Sequence, residues 1–323
     1  MATNELLKQG TLLDVLNNRA PDGNLLVVAE VLQKETPMIK DAPMVEANDI
    51  TQHIYARRTK LPTSEILKFN KGVGGNVGAT EQVTSGIQAR GNWPSYDARL
   101  VDMAPNKQEY RNIQARAVIM GIGQDIESDI IYGSKAADTC AFDGVEAYTD
   151  KLGNMVIDAG GSTGLTSAYI VAWDVTNGAY LCYPKGSQAG VKFEDKGERT
   201  KDMADGTKMR VYEDYVEVSC GLCVADTRAV ARIANIASAS PTASSFDEND
   251  VILLLNRMPA SIRQKAVMYV SRNVHAAIEM RANAKTNVWY SPKEVFGETL
   301  TSIRGMPIRL DEMISENEDQ VTA

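Results

Sequence analysis

From Tyr55 to Trp93 the chain reads YARRTKLPTSEILKFNKGVGGNVGATEQVTSGIQARGNW, and this run offers little to bury on either side. Its apolar residues are scattered, β-formers are frequent, and six glycines interrupt it. A loop of this length inside a compact domain is unusual, and such loops are commonly binding arms. Residues 54–98 are therefore expected to form a long hairpin reaching away from the main body. Whatever fold the rest adopts must hold a core without this segment and leave it to find contacts elsewhere.

The remainder can supply that core. The chain has 323 residues, 44% hydrophobic and 24% charged, enough for one large or two smaller domains. A formal net charge of -8 argues against a broad nucleic-acid-gripping surface, although local basic patches are compatible with it. No run approaches the ~18 consecutive apolar residues of a membrane span. The start, MATNELLKQGTLLDVLNNRAPDG, lacks the apolar run of a signal peptide and reads as a mature cytosolic N-terminus. Four cysteines, Cys140, Cys182, Cys220 and Cys223, do not make a secreted disulfide framework, so synthesis in a reducing compartment is expected.

Local patterns define the elements. Leu6, Leu7, Leu12, Leu13, Val15 and Leu16 outline a short amphipathic helix, too brief to stand alone. An apolar stretch covers residues 24–32. Asn106 with Glu109 is a capping-box signature, and Ile113, Ala117, Met120, Ile122, Ile126 and Ile130 keep a helical period to Tyr132. Residues 141–225 turn to strand grammar in VIDAGG, TSAYIVAWDV, AYLCYPKG and MRVYEDYVEVSCGLCVAD, separated by turns such as FEDKGERTKDMADG. Residues 238–250 read as a small-residue connection. A second long helix is expected after Pro259, on Ile262, Ala266, Val270, Val274, Ala277 and Met280. Ser291, Pro292 and Glu294 read as a short capped turn ended by Gly297; a strand, IRGMPIRLDEMI, and an acidic tail follow. The class is α+β.

No catalytic, cofactor-binding or metal-binding residues emerge. Gly160-Gly161-Ser162-Thr163-Gly164 matches the G-x-S-x-G nucleophile pattern, which needs a helix after it and Asp then His downstream. The sequence that follows reads as a strand, and the downstream histidine, His275, lies in a predicted helix, so a glycine-rich turn between strands is the expectation. Cys220 and Cys223 form a C-x-x-C pair without a second pair, and on a continuous strand residues three apart diverge. They are expected to be core thiols, with Cys140 and Cys182 standing alone. His53 and His275 are isolated, and His275 with Glu279 reads as a surface pair. Gly72, Gly74, Gly75 and Gly78 fit a flexible loop tip better than a phosphate loop. Arg57, Arg58, Lys60, Lys68 and Lys71 fit either contact with phosphate or a hairpin edge protected by charge.

The ordered string RTKLPTSEILKFNKGV, ESDIIYGS, FDGVEAYTDKLGN, VIDAGG, TSAYIVAW, YPKGSQAGVKFEDKG, YEDYVEVSCGLCVADTRAVARIANI, NVWYSPKEVFG and IRGMPIRLDEMI resembles the major capsid proteins of tailed bacteriophages over residues 55–315. That resemblance implies the Hong Kong 97-like fold, with an N-terminal arm, an extended loop, a peripheral domain carrying a long spine helix, and an axial domain. It places the arm at 1–36 and the extended loop region at 37–100. The peripheral domain falls at 101–144 and 250–290, and the axial domain with the returning C-terminal segment at 145–249 and 291–323. It implies a virion coat protein made in the host bacterial cytoplasm. This protein would self-assemble into pentamers and hexamers of an icosahedral head around double-stranded DNA. Partners would be further copies through the arm and loop, scaffolding, portal and decoration proteins, and weak non-specific contact with DNA, with no membrane, cofactor or enzymatic role. A cellular encapsulating shell and a serine hydrolase using Ser162 are the alternatives. Gly121 and Gly123 would then either bend the spine helix during shell expansion or allow close packing on a neighbouring element.

Overall fold

Leu165–Ala172 is buried at every residue, as expected of an apolar run covered on both faces. It is an interior strand, fifth in order, of a seven-stranded sheet. The order is Tyr290–Val295, Glu298–Ile303, Met306–Leu310, Ala266–Val270, Leu165–Ala172, Val230–Ala237, Val156–Asp158. The two neighbours of Leu165–Ala172 pair with it antiparallel, while Met306–Leu310 and Val156–Asp158 join parallel. Helix Glu248–Arg257 lays Val251, Leu254 and Leu255 on this sheet, and helix Arg272–Asn283 adds Val274, Ala277 and Ile278. Asp247 caps the first of these by accepting Asn249 N at 3.2 Å.

The structure, a computed structural model, describes residues 34, 36–104, 106–187, 189–203, 206–238, 246–283, 290–295 and 298–322. The expected N-terminal helix, the 24–32 stretch, Gly297 and most of the 238–250 connection lie outside these. The chain divides into two compact units. The smaller comprises Ala89–Ile126 and Gln188–Ser219; the larger comprises Glu35–Gln88, Glu127–Ser187 and Cys220–Ala323.

Several sequence expectations are corrected. The long helix after Pro259 is instead a short turn, Ala260–Arg263, then strand Ala266–Val270, then helix Arg272–Asn283. The run Ala-Val-Met-Tyr-Val is apolar at successive positions, which suits a strand covered on both faces as well as a helix, and the central sheet decides between them. Ser291, Pro292 and Glu294 lie on strand Tyr290–Val295, paired with Glu298–Ile303, so the expected capped turn is absent. The charged run FEDKGERTKDMADG is mostly strand: Val191–Asp202 pairs with Lys208–Val218, Met203 N donates to Thr207 O at 2.8 Å, and Gly206 has φ 79°. A two-stranded ribbon needs no continuous apolar face, because cross-strand pairs such as Arg210 with Glu198 support it from charged residues. The acidic tail packs on the sheet: Glu318 N donates to Leu165 O at 2.7 Å, and Val321 is buried.

Helix Lys107–Tyr132 begins as expected, with Asn106 Oδ1 accepting Glu109 N at 3.3 Å. Its 26 residues span about 39 Å at ~1.5 Å each. Ile122, Ile126 and Ile130 are buried as the period predicts, but in the first half Tyr110, Arg111 and Ala115 are buried while Ala117 is exposed. Arg111 is drawn inward by ion pairs to Asp195, at 2.6 Å, and to Asp214. A Cβ built on Gly121 or Gly123 meets nothing within 4 Å, so close packing within the described chain does not explain either glycine.

In the larger unit Arg232 is a charge deep in the core, 1% exposed. Its guanidinium meets Glu318 Oε2 at 2.9 Å, Glu146 Oε1 at 3.2 Å and Ser167 Oγ at 2.8 Å, and lies 5.3 Å from the Tyr169 ring. Glu318 also accepts from Tyr132 Oη at 2.7 Å and from Tyr169 Oη at 3.2 Å.

Candidate assembly surface

Strands Gln52–Lys60 and Ala79–Gly86 form an antiparallel hairpin of their own, in register from Gln52 opposite Gly86 to Lys60 opposite Ala79. The expected hairpin therefore ends at Gly86, not at residue 98. Gln88–Asn92 and Ser95–Asp97 pair instead with the long strand Lys208–Val224, and Ala98–Met103 is a short helix.

The hairpin is fixed firmly at its base. Tyr55 Oη donates to Val224 O at 3.0 Å, and Arg57 Nε donates to Ala225 O at 3.1 Å. Ser85 Oγ donates to Leu222 O at 2.5 Å and Lys135 Nζ to Thr84 O at 2.9 Å. His53 Nε2 lies 3.2 Å from Tyr180 Oη, and partial burial lowers the His53 pKa. Gly86 and Gly221 let backbones meet here. A Cβ on Gly86 would come 2.1 Å from Ala141 O, and one on Gly221 would come 2.4 Å from Gly86 O. Gly86→Ala is accordingly expected to cost about 1–3 kcal/mol, read as a lowered urea midpoint.

Beyond the base, residues 61–77 are all exposed. Leu61, Ile66, Leu67, Phe69 and Val77 stand 68–103% exposed. Singly exposed apolar residues are ordinary, but this many on one loop mark an interaction surface. From Gln52 to Gly86 there are five cations, Arg57, Arg58, Lys60, Lys68 and Lys71, against Glu65 and Glu81, on a chain whose net charge is -8. The hairpin is thus positive where the rest of the molecule is negative, which favours another copy of the same chain as its counterpart.

The motifs that hinted at chemistry fall elsewhere. Gly160 and Gly164, with φ of 78° and 57°, turn the chain between Val156–Asp158 and Leu165–Ala172, and Ser162 is exposed with a strand after it. His275 Nδ1 is 3.6 Å from Glu279, as the helical spacing predicts. Cys220 and Cys223 are buried on strand Lys208–Val224. Cys182, expected to stand alone, has its sulfur 3.4 Å from that of Cys223. Register explains the meeting: Gly221 opposes Cys182 and Cys223 opposes Tyr180, so the thiols face on a diagonal. At 1% and 0% exposure neither thiol presents a surface to an oxidant. Among the described residues, no group of three His, Cys, Asp or Glu side chains is placed to hold a metal ion, and no helix is long and apolar enough to cross a membrane.

A family model described as major capsid protein GP7 matches residues 20–322. Among solved structures, the chain is similar to one from bacteriophage Epsilon15, with a TM-score of 0.71, 23% identity and 98% of each chain covered. It is also similar to the capsid of bacteriophage JBD30, with a TM-score of 0.53 and 8% identity over 89% of this chain and 95% of that one. No curated protein sequence matches it. The mixed helix-and-sheet arrangement is that of the Hong Kong 97-like phage capsid structures.

Proposed function

Because the chain belongs to the family of major capsid protein GP7, we propose that its hairpin is the grip by which each copy holds the next in an icosahedral head. The protein is a structural one, a shell-forming coat protein of a bacteriophage virion, and it works by self-association. Pentamers and hexamers are the assembly units of this reading, with double-stranded DNA inside and synthesis in the host bacterial cytoplasm. Scaffolding, portal and decoration proteins are its further partners. The five cations of the hairpin serve contact between copies first and weak, non-specific contact with DNA second. No catalytic step is assigned to Ser162 or to any other side chain.

The observation that carries the reading is the wholly exposed, apolar and basic stretch 61–77 on a firmly anchored base. A rigid base with a bare tip suits contact with something outside the subunit. The 1–36 arm, the 37–100 loop region, and the peripheral and axial divisions of the remainder belong to the same proposal. So does a bend of the long helix at Gly121 and Gly123 during shell expansion, favoured by the open space around both. Electron microscopy of the purified protein tests the whole: closed shells are expected, and a protein that stays a small oligomer under assembly conditions rejects it. Shells of Gly121→Ala/Gly123→Ala that still expand normally reject the bend alone.

A further inference from the structure

Two carboxylic acids with no part in the assembly grip are shut inside the larger unit. Glu127, in the last turns of helix Lys107–Tyr132, and Asp311, directly after strand Met306–Leu310, are both 0% exposed. Glu127 accepts from two consecutive amides, Met38 N at 2.7 Å and Ile39 N at 3.1 Å. Those amides open the short helix Pro37–Asp41, so one side chain holds this segment to the long helix. Asp311 Oδ1 accepts Met313 N at 2.9 Å, but its Oδ2 is buried with no hydrogen-bond partner among the described residues. An ionised oxygen left in that state is costly, and a proton between the two acids removes the cost.

Among the described residues, no cation counters the charge of either acid. From strand Ala266–Val270, Tyr269 Oη donates to Asp41 Oδ2 at 3.0 Å. From Met306–Leu310, Arg309 reaches Asp41 Oδ1 at 3.3 Å and is engaged there. Glu312 adds negative charge beside Asp311 and is itself paired with Arg272.

We propose that Glu127 and Asp311 share a proton, and that this proton latches the Met38–Ile39 segment to the long helix and releases it in alkali. Loss of the proton to water leaves two carboxylates facing each other in a dry site, and separating the segments relieves the repulsion. Burial first, and the Asp311 charge second, push Glu127 up to about 8, while burial pushes Asp311 up to about 6. The two titrate as a pair. Once opened, both acids return to the ordinary carboxylate range near 4. The closed form therefore binds more protons than the open one. Its stability is full below about pH 4 and is lost as pH rises, until it levels off above about 8.

Hydrogen exchange of the full-length chain, read by mass spectrometry from about pH 5.5 to about pH 9 and corrected for intrinsic exchange, tests this independently of shell formation. Protection of the peptide over Met38 and Ile39 is expected to fall by about tenfold per pH unit near neutrality, and more steeply toward about pH 5.5, where nearly two protons separate the forms. Peptides from the sheet strand Leu165–Ala172 should hold steady. Glu127→Gln keeps one of the two acceptors and no charge, so protection should be lower overall but should fall little above about pH 6. Asp311→Asn removes the second charge but not the burial of Glu127, so its protection should fall clearly less than in the wild type. A flat wild-type profile, a fall in Asp311→Asn as large as in the wild type, or an equal fall in Leu165–Ala172 overturns the latch. Should Glu127→Gln not fold, Asp311→Asn decides alone.

Discussion

Arg232→Met is expected to destabilise the folded chain by about 3–5 kcal/mol, the range for breaking one side of a buried ion pair. The arginine itself is replaced by a side chain of similar length, so cavity formation adds little. The cost arises at Glu318. That carboxylate keeps Tyr132, Tyr169 and Ser167 as hydrogen-bond partners but loses its cation while only 4% exposed. Glu146, 3.2 Å from the guanidinium, is left without that partner too, but at 35% exposure it can turn to water. The asymmetry gives a second arm to the test. Arg232→Met with Glu318→Gln removes both charges together while keeping an acceptor for the buried hydroxyls, and should recover a large part of the loss, because the uncompensated charge is gone. Urea unfolding of the three proteins, with unchanged slopes, checks the expectation. A single variant within about 1 kcal/mol of wild type would mean that water already reaches this cluster.

The same cluster marks a limit of what could be read from residues alone. Arg232 sits in TRAVARIANI, where an arginine among apolar residues reads as a strand that turns one side chain outward. Its partners lie far away in sequence, Glu318 in what reads as a loose acidic tail. Only the packing of that tail beside Leu165–Ala172 makes the arginine a core residue. Long-range pairing likewise decides Ala266–Val270, whose apolar run suits a helix until two strands flank it. The helix Lys107–Tyr132 was legible because its evidence is local: a cap, a period and β-branched residues spaced by turns.

The candidate surface was legible for the opposite reason. A hairpin whose outer stretch buries nothing declares itself by what it lacks, so residues 54–86 stand out without knowledge of any partner. Its far end was misplaced because Gln88–Asn92 and Ser95–Asp97 resemble the hairpin in composition and differ only in having a strand to pair with. Local sequence carries no record of that strand. The meeting of Cys182 with Cys223 and the burial of both Glu127 and Asp311 were invisible for the same cause, since each depends on which segments become neighbours.

Leu67→Asp with Phe69→Asp is expected to leave the subunit folded and to abolish shells. Both side chains are already in water, at 80% and 103% exposure, so the change should move subunit stability by no more than about 0.5 kcal/mol. Between copies the arithmetic differs. Burying a leucine or phenylalanine contributes about 1.5–3 kcal/mol each, so losing two weakens every contact by a factor of roughly 10² to 10⁴. Two added carboxylates also turn a basic tip toward the sign of the surface it would meet, raising that loss further. In a closed shell the contact recurs at every subunit, and a modest loss at each one suppresses the assembled state as a whole. Sedimentation and electron microscopy should find the variant entirely as small species, with a thermal unfolding curve that overlays the wild type. Shells at wild-type yield would place the grip elsewhere, whereas a shifted unfolding curve would show that the tip supports its own subunit.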